Sequence, residues 1–229
     1  MIPNLPCALP DAPYLPGRTV DLVRLDIEAH ASGLWRAIGA DPARWTWIPS
    51  GPFADTGAFS EWLETRARRD DVILNTVLDK TGPAPVPAGL YFLLHLDPAM
   101  GVAEFGLMLG PALSGRTGGT EAFYLRARYL FETLGYRRLE WRCHPDNLAS
   151  VRAAERFGFT REGVLRQAAW LKGGSWDTAL YAMLDHEWPA VAARMAAWLA
   201  PENFDAEGRQ ISRLAGFAQP YFGSSHHGK

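Results

Sequence analysis

Val102-Ala-Glu-Phe-Gly-Leu-Met-Leu-Gly110, then Pro-Ala-Leu-Ser-Gly-Arg-Thr-Gly-Gly-Thr120, then the apolar-striped run from Glu121 to Leu134, reads as strand, glycine-rich loop and helix. The run puts Phe123, Ala127, Leu130, Phe131 and Leu134 on one stripe, and Gly135 is a natural terminator. A loop crowded with glycines that feeds a helix N-terminus offers unpaired backbone N–H groups and the positive end of the helix dipole. Both suit an anionic phosphate.

Outward from this stretch, residues 71–79 and 87–97 predict two strands joined at a Lys80-Thr-Gly-Pro turn, a hairpin, and Arg18 to Leu25 alternates as a strand. Asp26 is placed to cap a helix to about Gly39, with Ile27, His30, Leu34, Trp35 and Ile38 near one face, and Asp55 to cap a second to about Arg69. The first 17 residues carry five prolines and predict an extended arm with no helix and few ladder bonds. Downstream, Arg138 to Cys143 is a short strand. Asn147 caps a helix that ends at Gly158, with Phe159 folding back on it. Strands over 160–171 and 176–184 flank the turn Lys172-Gly-Gly-Ser; 185–199 is apolar-striped, and 201–229 reads as a partly ordered tail. The organisation expected is an arm over 1–17, one α/β domain over 18–184, and a helical extension and tail over 185–229.

With 229 residues, 48% hydrophobic and 21% charged, the chain can bury one core of ordinary size. A net charge of -2 exerts no global pull toward nucleic acid or an acidic membrane, and neither partner is expected. Two cysteines, Cys7 and Cys143, fit a reducing compartment without a disulfide framework. No apolar run approaches the roughly 18 residues that span a bilayer, and the start lacks the make-up of a signal peptide. A cytoplasmic location is expected, and no metal is implied.

The loop admits three readings. Gly110 to Thr117 fits the phosphate loop of nucleotide hydrolases except that Arg116 stands where lysine is required, and a planar guanidinium does not replace that compact charge. Antiparallel strands also precede the loop where parallel crossover units are needed. A purely structural reading gives the glycines a tight strand-to-helix turn. The third reading is a pyrophosphate cradle of the coenzyme A type, and the wider pattern favours it. Glu104-Phe-Gly-Leu-Met-Leu, Arg116-Thr-Gly-Gly-Thr-Glu-Ala122, Leu134-Gly-Tyr-Arg-Arg-Leu-Glu-Trp141, Asn147-Leu-Ala-Ser150 and Ala154-Glu-Arg-Phe-Gly-Phe159, in that order and spacing, resemble the GNAT acetyltransferases. More narrowly they resemble the branch that holds the ribosomal-protein N-terminal acetyltransferases of RimJ/RimL type. The resemblance runs from about Gly17 to Pro189, and its later part, Lys172-Gly-Gly-Ser-Trp-Asp-Thr and Met183-Leu-Asp-His-Glu-Trp-Pro189, fits an uncharacterised subgroup.

That resemblance implies a GNAT fold: a mixed, mostly antiparallel sheet splayed at its centre, with helices on both faces. It implies acetyl-CoA as cofactor, lying where the strands at 102–110 and 138–143 part, with its thioester carbonyl taking a backbone N–H from Leu107, Met108 or Leu109. Phosphate contacts fall on Arg116, Thr117, Gly118, Gly119 and Thr120, with Arg152 toward the 3′-phosphate. The family's usual loop has glycine where Thr117 stands, so Gly118 or Gly119 is expected to supply the flexibility. Asn147 and Ser150 match a motif that touches the pantetheine arm and sulfur; the Ser150 hydroxyl can protonate the thiolate, and Asn147 can equally cap its helix. Glu104 resembles the general base of the family, its competing role being an ion pair with an arginine.

The remaining candidates have plainer alternatives. Glu121 complements the helix dipole. Cys143 is read as a buried structural thiol, and His95 and His144 as packing or surface residues with proton carriage as the alternative. Trp45, Trp47, Phe53 and Trp170 are placed around the acceptor, against a reading in which the tryptophans of the 45–53 loop form a satellite core. The acceptor expected is a protein N-terminus or a small-molecule amine. A GNAT-fold module that binds acyl-CoA without turnover is the alternative, and a homodimer is expected from apolar surface on the helix between Trp188 and Trp198 and from family habit.

Overall fold

The computed structural model describes residues 5–214, so the part of the expected tail beyond 214 lies outside the described residues. Eight strands form one sheet: β1 (Tyr14–Pro16), β2 (Val20–Arg24), β3 (Ile73–Asp79), β4 (Val86–Asp97), β5 (Val102–Leu109), β6 (Arg138–Cys143), β7 (Thr160–Leu171) and β8 (Gly174–Leu184), in the order β1-β2-β3-β4-β5-β6-β8-β7. Every neighbouring pair is antiparallel except β5 and β6. This is the mostly antiparallel α/β architecture that the motif order implied. Within the proline-rich arm, Tyr14–Pro16 pairs with β2 at the sheet's edge, a position that tolerates proline's missing N–H.

Alternation along the strands feeds two cores. Phe105 and Tyr91 face α3 (Thr117–Arg128), α4 (Leu148–Phe157) and α5 (Trp188–Leu199), while Leu90, Phe92 and Met108 face α1 (Ile27–Leu34) and α2 (Thr56–Ala67). The helix starts follow the capping residues: Asp26, Asp55 and Asn147 each accept a backbone N–H three residues on, from Ala29, Ala58 and Ser150. The first and third helices close with single wider turns, at Trp35–Gly39 and Tyr129–Thr133.

The stripe on α5 is consumed within the chain. Trp188, Val191, Met195 and Trp198 are buried against α3 and α4, the Trp188 indole donates to Glu132, and that of Trp198 to the Ser212 carbonyl. The apolar surface on which a homodimer was expected is therefore this chain's own core.

At the end of α4, Gly158 has φ +101, its N–H and that of Phe159 both reach the Ala154 carbonyl, and Phe159 packs into the core beside Phe123 and Trp141. A Cβ on Gly158 would lie 3.1 Å from Val191 of α5. Gly158→Ala is expected to cost roughly 1–2 kcal/mol through the left-handed backbone alone, read as a lower midpoint with unchanged slope in urea denaturation.

Candidate active site

Parallel pairing of β5 with β6 covers Val102 to Phe105 against Arg138 to Trp141 and goes no further. Past that point β5 follows β4 to the Gly89–Leu109 pair, whereas β6 follows β8 to the Cys143–Ala179 pair. Gly110 donates to the Ala88 carbonyl, so strand alternation turns the N–H groups of Gly110 and Met108 toward β4 and those of Leu107 and Leu109 into the gap. Of three candidate donors, two face the opening and Met108 does not. The Leu109 carbonyl faces it as well, and takes a hydrogen bond of 2.7 Å from Arg44.

Beyond β5 the chain turns through Gly115, the one glycine of the loop with positive φ (+70), and enters α3 at Thr117. Arg116, the N-cap residue, offers no side-chain cap, so the first-turn N–H groups of α3 keep their capacity for an anion. Thr117 is the first helical residue, a place where glycine is not required. Gly118 and Gly119 do not supply flexibility as expected. They are buried in the first turn, where a Cβ would lie 2.7 Å from Leu113 and Val20, or 2.6 Å from Leu109. Their role is close approach of helix to sheet. Thr120 is fully buried and its hydroxyl accepts from Arg156, so only its backbone remains for a ligand. Arg116 and Arg152 are exposed and have no acidic partner among the described residues. Glu121 is buried and accepts the N–H groups of Arg18 (2.5 Å) and Thr19 (2.8 Å) and the Thr19 hydroxyl, which fastens the 17–19 loop to α3; complementing the dipole is secondary.

Glu104 sits on β5 just before the strands part, on the α1/α2 face. Its Oε2 meets His95 Nδ1 at 2.8 Å and Arg142 Nε at 3.2 Å. Burial pushes its carboxyl above the usual carboxylate range, and the bond to His95 and the Arg142 charge offset only part of that. The arginine ion pair and a raised proton affinity thus coexist in one residue. Glu140, half-buried, is held below the usual range because hydrogen bonds from Arg138 and Arg142 outweigh its desolvation.

Ser150 lies across the sheet, on the α4 side. Its Oγ accepts from the Trp141 indole at 2.9 Å, and its own O–H keeps the capacity to donate, with the Cys143 sulfur as a neighbouring acceptor. The Asn147 side-chain oxygen is used by the helix cap. Burial raises the Cys143 thiol, only partly countered by Ser150 and Trp141, so it is not a thiolate nucleophile.

The aromatic residues separate. Trp45 is 0% exposed, donates to the Gly39 carbonyl and packs edge-on against Phe53 and Trp62. Trp45 and Phe53 form the second core under the loop, so the acceptor role expected of Trp45 does not hold. Trp47 stacks on His144 at 4.7 Å, and Trp176 flanks both, at the end of β6. Trp170 is 73% exposed near the tip of the β7–β8 hairpin, whose Lys172 reaches back to the Trp45 carbonyl.

A model of the acetyltransferase (GNAT) domain matches residues 20–160. The chain belongs to the GNAT acetyltransferase family. A GCN5-related N-acetyltransferase from Brucella melitensis is 42% identical, with 93% of this chain and 96% of that one covered at a TM-score of 0.87. A probable GNAT-family acetyltransferase from Chromobacterium violaceum is 38% identical, with 80% and 92% covered at 0.75. Among curated proteins, the uncharacterized N-acetyltransferase YnaD of Bacillus subtilis is 28% identical over 85 residues, 37% of this chain; the chain spans about half the length of that relative. Among the described residues of this GNAT chain, no helix is long and apolar enough to cross a membrane, and no group of three or more His, Cys, Asp or Glu can hold a metal.

Several residues in contact with the candidate site escaped the sequence. Arg142 was a candidate partner only in kind, and nothing in its neighbours marks it as the one. Arg44, 65 positions from Leu109, and Arg156, 36 from Thr120, act through long-range contacts that no local pattern encodes. Replacing Glu121 by Gln turns an amide donor toward donors and weakens three bonds to a charged acceptor. The expected cost is about 2 kcal/mol, measured by urea denaturation, with exchange of the Arg18 and Thr19 amides accelerated.

Proposed function

We propose that this GNAT protein transfers the acetyl group of acetyl-CoA to an amine by direct attack, with Glu104 as general base and Ser150 as the proton donor for the departing thiol. The observation that carries the reading is the open inner edge of β5: two unpaired amides, Leu107 and Leu109, lead to a helix N-terminus without a side-chain cap. An extended ligand with an amide-bearing arm and a diphosphate end matches both parts. Acetyl-CoA supplies an activated acetyl thioester. Leu107 and Leu109 orient the arm and polarise the carbonyl, the first turn of α3 and Arg116 hold the phosphates, and Arg152 lies one helix away.

Glu104 and Ser150 occupy opposite faces of the sheet with the gap between them. That arrangement supports amine entry from the α1/α2 side and thiol departure toward α4. Trp47, His144 and Trp176 are the aromatic residues nearest the end of β6, and we place the acceptor against them in preference to Trp45, Phe53 or Trp170. A peptide N-terminus is favoured by the resemblance of the sequence motifs to the RimJ/RimL branch, and small amines remain in the same class. Two free cysteines fit a cytoplasmic setting.

Glu104→Gln is expected to lower kcat at least about 100-fold across an amine panel, read by thiol release, with coenzyme A binding by calorimetry unchanged. Absence of thiol release by the native protein with every amine would favour a module that binds acyl-CoA without turnover. The base works only when deprotonated, so activity is present above the Glu104 pKa and lost as pH falls through it, at a pH above the usual carboxylate range. Arg142→Leu removes a charge that favours the carboxylate. The acid limb of kcat/KM is expected to move to higher pH in that variant; an unmoved limb places the titrating base elsewhere.

A further inference from the structure

Regular alternation along β4 places Leu94 opposite Glu104, and His95 would then point to the other face. The strand does not stay regular. Its register with β5 slips between Leu94 and Asp97, and His95 has φ +46, in the left-handed region that a non-glycine residue seldom adopts. The bulge brings the imidazole round to Glu104, Nδ1 to Oε2 at 2.8 Å. Backbone strain retained beside a candidate catalytic group points to use of the side chain it re-aims.

The two partners differ in exposure in a way an ion pair does not require. The Glu104 side chain is 10% exposed and the His95 side chain 59%. One end of the pair is buried beside the gap, and the other stands in solvent. Acetylation makes such a route necessary when the amine arrives as ammonium: RNH3+ and the thioester give an amide, a thiol and one proton in excess. One proton of the nitrogen accompanies the thiol, and the other must leave the carboxyl before the next turnover. Arg142, which holds the same Oε2 from β6, cannot carry it, because a guanidinium does not release a proton in this pH range. The other charged groups around the pair are Glu140, tied to Arg138 and Arg142, and Asp71, tied to Arg69 ahead of β3.

Resting on the reading of Glu104 as the base, we propose that His95 is its proton relay: Nδ1 takes the proton from the Glu104 carboxyl as the Nε2 side gives one to solvent, and ring reorientation or a second exchange resets the imidazole. His95 touches no reacting atom in this scheme and acts through Glu104.

The test compares His95→Gln, which keeps a hydrogen-bond donor but carries no proton, with His95→Ala and Glu104→Gln. In a dilute, poorly permeating buffer, His95→Gln is expected to lose tenfold or more in kcat with both KM values unchanged. Added imidazole restores His95→Ala saturably. In the ligand-free protein, the Glu104 carboxyl carbon, followed by NMR, titrates at higher pH in His95→Ala because a bond to the carboxylate is gone. Full kcat for His95→Gln with Glu104→Gln inactive overturns the relay alone. A loss that imidazole does not restore makes His95 structural and overturns it as well. If Glu104→Gln keeps its activity, the base reading falls, and the relay with it.

Discussion

Beyond Phe105 and Trp141 the two central strands stop sharing hydrogen bonds, and the inner backbone groups of Leu107 and Leu109 are left without a strand partner. Each strand is held by its outer neighbour, β5 by β4 and β6 by β8, so the gap is built into the ladder. A strand edge in mid-sheet ordinarily invites unwanted pairing. Here it lies between the two helix-covered faces of the sheet, and the Leu109 carbonyl takes a hydrogen bond from Arg44. An arm that pairs along this edge must share that carbonyl with Arg44 or displace it.

The rest of the molecule keeps this edge in place. Phe105, Phe123, Trp141, Phe157 and Phe159 interlock where the strands part, with Phe123 and Phe157 stacked at 4.5 Å. Gly118 and Gly119 let α3 press against Leu109 and Leu113, which sets the helix N-terminus directly after the open edge. Glu121 then ties that turn to the chain entering β2. On the other face, the core around Trp45, Phe59 and Trp62 fixes the loop that carries Trp47 and Arg44.

Much of this was legible because the signals are local. Capping aspartates, Gly158 with Phe159, and the stripe on α3 each declare their element within a few residues, and the order of motifs from Glu104 to Phe159 carried the family. What escaped depends on contacts distant in sequence. The stripe from Trp188 to Trp198 announces an apolar partner without saying whose, and it proved to be the chain's own core. Trp45 and Trp47, two residues apart, have opposite fates because one indole points under the loop and the other toward His144. His95 could not be assigned to Glu104 from alternation, since only the bulge turns it to that face. Thr117 looked like a departure from the glycine pattern, yet the positive φ falls at Gly115.

A carboxyl with raised proton affinity, a hydroxyl able to donate and an open edge acquire a joint meaning only if the ligand lies along β5. The direct measurement is an amide NMR titration of the protein with coenzyme A. The Leu107 and Leu109 amides are expected to shift strongly and become protected from exchange, together with the first-turn amides of α3, while the Met108 amide, bonded to β4, changes least. Binding that leaves Leu107 and Leu109 unprotected, or that perturbs only residues away from β5 and α3, would contradict a ligand lying along β5.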